Sequence, residues 1–181
     1  MMKKVLLILG IILIICGAGT ALYKVTTSKN NYAILAAKLT TDNQDKTSFA
    51  KIYNNGKVKT TTLKDKKFKK AIIVDPNIFV NHTNERNNSL YNTINTKLLN
   101  KDEKLNSNPV YTEIVKYVAK HSNHMIAFLN LFDIDGEYYA FLKYNAGLSD
   151  EGTLYKYKDN KLTKICTVDS DQIIGLRKVK N

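Results

Sequence analysis

Seven lysines crowd into residues 57–70 of this 181-residue chain: Lys57, Lys59, Lys64, Lys66, Lys67, Lys69 and Lys70. Asp65 is the one acid among them, so the segment carries a net charge of +6. An ammonium group is a compact point charge that suits phosphate or carboxylate without fixing its orientation. The segment is therefore the candidate for binding an anionic surface, either a cell-wall polymer or lipid headgroups, where each lysine contributes about 1 kcal/mol. A solvated lysine face guarding a strand edge would use the same residues without any partner.

Other groups with chemical potential are read more plainly. His121 and His124 stand three positions apart, with His82 elsewhere. That spacing puts two imidazoles on one face of a helix, as a metal site requires, but on opposite faces of a strand. Residues 120–124 read as a turn without a nearby carboxylate, so polar loop histidines are expected and no metal is assigned. Asp133-Ile134-Asp135-Gly136-Glu137 begins like a calcium loop, yet its glycine comes two positions too early for an EF-hand and β-favouring runs flank it. A hairpin turn is the expectation. Cys166, the one thiol beyond the apolar N-terminal run, sits in a β-favouring stretch and reads as a small buried residue. Asp150/Glu151 and Asp169/Asp171 fall in turn-like segments. The chain contains no Gly-x-Ser-x-Gly, phosphate-binding glycine loop or His-Glu-x-x-His. No catalytic residue and no cofactor is assigned. The enzymatic alternative is a noncontiguous site drawn from His82, His121, His124, Asp133 and Asp135.

The whole chain has 28 Lys and Arg against 16 Asp and Glu, a formal charge of +12, but Arg86 and Arg177 are its two arginines. Nucleic-acid readers depend on the planar guanidinium for bidentate contacts, so no nucleic-acid partner is expected. Lys, Asn, Ile and Tyr are together the residues favoured by A+T-rich codons, which accounts for part of the lysine excess.

These side chains need elements to hold them. Residues 5–23 are uncharged and follow Lys3 and Lys4. As a helix they would span about 28 Å, close to the bilayer's hydrocarbon thickness of about 30 Å. Residues 1–23 are therefore expected to be a signal anchor in the membrane, with the N-terminus inside and the remainder outside. Cleavage near Ala21, after a run of small residues, is the alternative and would release a secreted protein. Residues 24–31 form a polar stalk, and residues 32–181 a single domain.

Within that domain, strands are expected at 32–39, 71–74, 77–80 and 172–179. Hairpins are expected at 48–63, around Asn54-Asn55-Gly56, at 124–144, around residues 133–137, and at 154–168, around residues 158–161. The two hairpins that share Tyr, a turn pair, Lys and an aliphatic (residues 52–58 and 156–162) resemble the outer strands of β-propeller blades. A propeller needs at least four blades, so they are read as two alike hairpins of one sheet. Leu90, Ile94, Leu98 and Leu99 make a helical stripe that predicts the principal helix over 89–106, N-capped by Ser89 and stopped by Pro109. The Val, Tyr, Thr and Ile of residues 110–120 favour a strand.

The fold class expected is α+β, mainly β: an N-terminal transmembrane helix, then a meandering antiparallel sheet with one principal helix. The function expected is noncatalytic binding at the bacterial cell envelope, to an anionic wall polymer or an envelope protein. A structural accessory of a secretion or transfer apparatus is the second alternative, beside the small envelope enzyme.

Overall fold

Alternating apolar and polar residues build two five-stranded antiparallel sheets. The first has the order β3-β2-β1-β10-β4, with β1 at Ala33–Thr40, β2 at Thr47–Tyr53, β3 at Val58–Thr61, β4 at Lys69–Lys70 and β10 at Gln172–Lys178. The second runs in sequence order: β5 (Ile72–Val74), β6 (Ile126–Ile134), β7 (Glu137–Tyr144), β8 (Glu151–Lys158) and β9 (Lys161–Asp169). The computed structural model describes residues 31–40, 47–63, 67–79, 93–145 and 151–179. The chain parts into the units Met1–Tyr32 and Ala33–Asn181, and the strands all belong to the second. The predicted membrane segment and most of the predicted stalk lie outside the described residues. Among those described, no helix is long and apolar enough to cross a membrane.

Two apolar cores fix the layering. Leu35, Ala37, Ile52 and Ile173 of the first sheet pack with Phe132, Phe141, Leu154 and Val168 of the second, closing a core between the sheets. On its other face the second sheet packs Leu129, Leu131, Ala140 and Leu142 against helices. The second sheet is thus covered on both faces at β6 and β7, whose residues are buried almost continuously. Gly152 belongs to this packing: a Cβ there would come within 2.0 Å of the Phe141 ring. Such close approach is the reason for glycine inside a strand.

The α+β, mainly β class is the one observed, with two sheets in place of a single meander. The chain changes sheet at Ala71, whose N–H donates to Ile174 O, and again at Ser170 and Asp171. At that second corner Ser170 Oγ donates to Thr40 O at 2.7 Å, and the buried Asn130 of β6 donates through Nδ2 to Ile173 O at 2.8 Å.

The helices depart most from expectation. Residues 110–120 are not a strand: Pro109–His121 is the principal helix, α3. Asn108 caps it by accepting from Val110 N, and Pro109 occupies the first turn, where its missing N–H and fixed φ are no handicap. The proline expected to stop one helix starts another. Buried Tyr111, Ile114, Val115 and Val118 supply the spacing that outweighs β-branched propensity. The helix predicted over 89–106 is two short pieces, α1 (Thr96–Lys101) and α2 (Glu103–Asn106). Asp102 separates them, its extended backbone ending one while its carboxylate accepts from Lys104 N and Leu105 N to begin the other. Asn95, not Ser89, caps α1; Ser89 lies outside the described residues. The strand predicted at 77–80 is a 3-10 turn, Pro76–Phe79, because the Asp75 carboxylate accepts from Asn77 N and folds the chain back.

Candidate anion-binding face

No strand of the first sheet contains Asp or Glu. Together they carry Lys38, Lys51, Lys59, Lys69, Lys70, Arg177 and Lys178. Strand alternation sorts these between the two faces. Leu35, Ala37, Leu39, Ala50 and Ile52 point into the core between the sheets, so Ala36, Lys38, Phe49 and Lys51 point away from it.

The ladder register extends that outer face across the sheet. Residues directly opposite one another share a face. Lys59 pairs with Lys51, Lys51 with Ala36, and Ala36 with Arg177. One step along the strands, Thr61, Phe49, Lys38, Gly175 and Lys70 form a second row. With strands about 4.8 Å apart, five cations share one side of the sheet. Among the described residues, no carboxylate forms an ion pair with any of them. Like charges directly opposite, as at Lys51 and Lys59, cost the folded state a few tenths to about 1 kcal/mol.

Aromatic side chains set the floor of this face. Phe68 stacks on Phe49 with ring centroids 5.7 Å apart, and the Arg177 guanidinium carbon lies 5.4 Å from the Phe68 ring centre. Gly175 makes room for this, since a Cβ there would meet Phe68 Cβ at 3.0 Å. Arg177 Nη1 donates to Lys178 O, and its buried Nε has no partner among the described residues. Lys59 Nζ stands 5.7 Å from the centre of the Tyr53 ring. At the β2–β3 end of the second row, Thr47, Ser48, Thr60, Thr61 and Thr62 line an open cleft of about 550 Å³ together with the apolar Phe49 and Leu63.

The predicted lysine cluster is accordingly divided. Lys57 is exposed in the β2–β3 turn, and Lys59 is exposed on β3 at one edge of the sheet. Lys69 and Lys70 are exposed on β4 at the opposite edge, just after exposed Lys67. Lys64 and Lys66 lie outside the described residues. The division arises because the strand after Lys67 leaves the β2–β3 hairpin and pairs with β10. Lys38, Lys51 and Arg177 occupy the middle of the face. Alternation in their own strands is the sequence signal that could have found them.

The remaining sequence candidates have local roles. His121 ends α3, stacking on Tyr117 with Nδ1 at 2.8 Å from Tyr117 O. His124 meets the Tyr144 ring edge to face. Asp133 Oδ1 accepts from Gly136 N at the β6–β7 turn, whereas Tyr144 lies at the far end of β7. The described members of the hypothetical site are therefore not gathered in one place, and His82 lies outside the described residues. No group of three or more metal-ligating side chains occurs among the described residues. Cys166 is buried in β9, and desolvation raises its thiol to about 12.

The second sheet treats charge differently. Lys156 and Lys178 reach Glu137 at 2.7 and 3.0 Å, and Tyr139 donates to the same carboxylate. The bond from Lys156, then those from Tyr139 and Lys178, hold the Glu137 carboxyl at about 2. Burial, followed by the neighbouring Glu137, raises the Tyr139 phenol. Lys143 pairs with Asp171, their side chains 9% and 15% exposed.

Comparison of the chain with protein-family models, curated proteins and solved structures finds no match.

Proposed function

We propose that this chain is a noncatalytic binding domain of the bacterial cell envelope, which holds an anionic polymer against the outer face of its first sheet. The observation that carries the reading is the register of Lys59, Lys51 and Arg177 in one row beside Lys38 and Lys70, on strands that contain no acid. Lysines opposed at about 5 Å repel one another. An anion laid between them turns that repulsion into attraction, so the face gains most from a ligand of repeated negative charge. The location rests on residues 5–23, whose length and lack of charge suit a single membrane span. Lys3 and Lys4 favour leaving the domain outside.

Titration of the full-length protein in detergent with inorganic polyphosphate tests the binding. Removing three cations as K51Q/K59Q/R177Q lowers the slope of log affinity against log salt by about 2, at about 0.7 per contact with a flexible polyanion. K158Q/K161Q, on exposed lysines of the second sheet, leaves the slope unchanged. Equal effects of the two variants would refute the assignment. For location, the protein stays with membranes through alkaline extraction; a soluble product beginning at Leu22 would replace anchor by cleaved signal.

A further inference from the structure

We infer that the ligand of this face is a phosphodiester-linked polyol, lying across the strands with phosphates over the cation rows and hydroxyls in the cleft at the β2–β3 end. The inference rests on the polyanion reading and narrows it by two observations. The cation rows run perpendicular to the strands, which is the arrangement for a linear chain of charges. The second row ends in the cleft through shared Thr61 and Phe49. There Thr47 and Thr61, on the outer face with Phe49, place their hydroxyls beside the row containing Lys38 and Lys70.

A hydroxyl both donates and accepts. It can bond a phosphate oxygen or a polyol hydroxyl, whereas a carboxylate polymer leaves the accepting half unused. Ammonium groups suit tetrahedral phosphate because they act as point charges without a required plane. A membrane surface fits less well. Phe49 and Phe68 are stacked on each other, and Phe68 also lies against Arg177. Of the exposed large apolar residues, Ile73 and Met125 are outside this sheet, and Tyr32 immediately precedes β1. The phenylalanine rings of the face are thus packed on each other and on Arg177 and are not free to enter the acyl boundary, where an interfacial surface draws much of its affinity.

A synthetic glycerol phosphate oligomer, poly-L-glutamate of equal charge and phosphatidylglycerol vesicles, each titrated into the detergent-solubilised full chain or its bilayer-reconstituted form, separate the possibilities. The oligomer is expected to bind about tenfold more tightly than polyglutamate. T47V/T61V weakens the oligomer about 3- to 10-fold through lost hydrogen bonds and weakens polyglutamate less, since only the donating half of each hydroxyl serves a carboxylate. K51Q/K59Q lowers the salt slope for both polymers by about 1.4. Equal affinity for the two polymers, or a preference for vesicles at equal phosphate, overturns the phosphodiester–polyol assignment while the polyanion face stands. Binding of every ligand untouched by K51Q/K59Q overturns both. Circular dichroism of each variant checks that lost binding is not lost folding.

Discussion

The two sheets share a core yet handle charge in opposite ways. The second sheet has four acids and five lysines in its strands, and several of its charges form ion pairs, as at Glu137–Lys156 and Lys143–Asp171. The first has seven cations and no acid. At β6 and β7 the second sheet lies between two apolar cores, where an unpaired charge would have no solvent. The first has one face away from the core, where unpaired charge is tolerated and available. Layer order thus separates a sheet that organises the fold from a sheet that presents a surface.

The largest test of that division compares phenylalanines. Phe141→Ala, between the sheets, is expected to lower stability in urea unfolding by about 3–5 kcal/mol, and Phe68→Ala, on the outer face, by about 1 kcal/mol. Equal losses would break the division. Next, Lys143→Met leaves Asp171 largely buried without its partner and costs about 3 kcal/mol, most of which returns in K143M/D171L. A single variant as stable as the native protein would place that pair among solvated charges.

Glu137 joins the sheets, taking Lys156 from one and Lys178 from the other. Its carboxyl is held at about 2 against an ordinary 4.5, so the unfolded chain takes up the proton first. The stabilisation is present above the ordinary value and is lost as pH falls from about 4.5 through about 2. Denaturation midpoints across that range should fall less steeply for Glu137→Gln; identical slopes would remove Glu137 from the account. The smallest effect is expected on the first sheet. K38Q/K51Q/K59Q should raise stability by about 0.5 kcal/mol at low salt, with the gain vanishing near 1 M salt as screening replaces the substitution.

The strands were legible because their signals are local. Asp135-Gly136 and Asp159-Asn160 adopt positive φ at the tips of the second sheet's hairpins, as tight reversals between alternating runs require. The helix at Pro109–His121 departs from expectation because the cap at Asn108, Pro109 in the first turn and the apolar spacing together outweigh the strand propensity of its Val, Tyr, Thr and Ile. Part of the candidate face was visible as Lys59 and Lys70 of the lysine cluster. Its centre was not, since pairing of Ala36 with Arg177 joins residues 141 positions apart, and no local pattern encodes which strands become neighbours.

That same pairing has a consequence for timing. β10 enters the first sheet between β1 and β4, after the chain has made every other strand and returned through Ser170 to Thr40. Contacts of such sequence separation form late, because closing a long loop costs entropy before the contact stabilises it. During synthesis, Lys51 and Lys59 can meet as a hairpin, but the row that includes Arg177 is assembled with the arrival of the tenth strand. A nascent chain would consequently carry positive charge before it carried the ordered pattern, and acquire the pattern when its first and last strands meet.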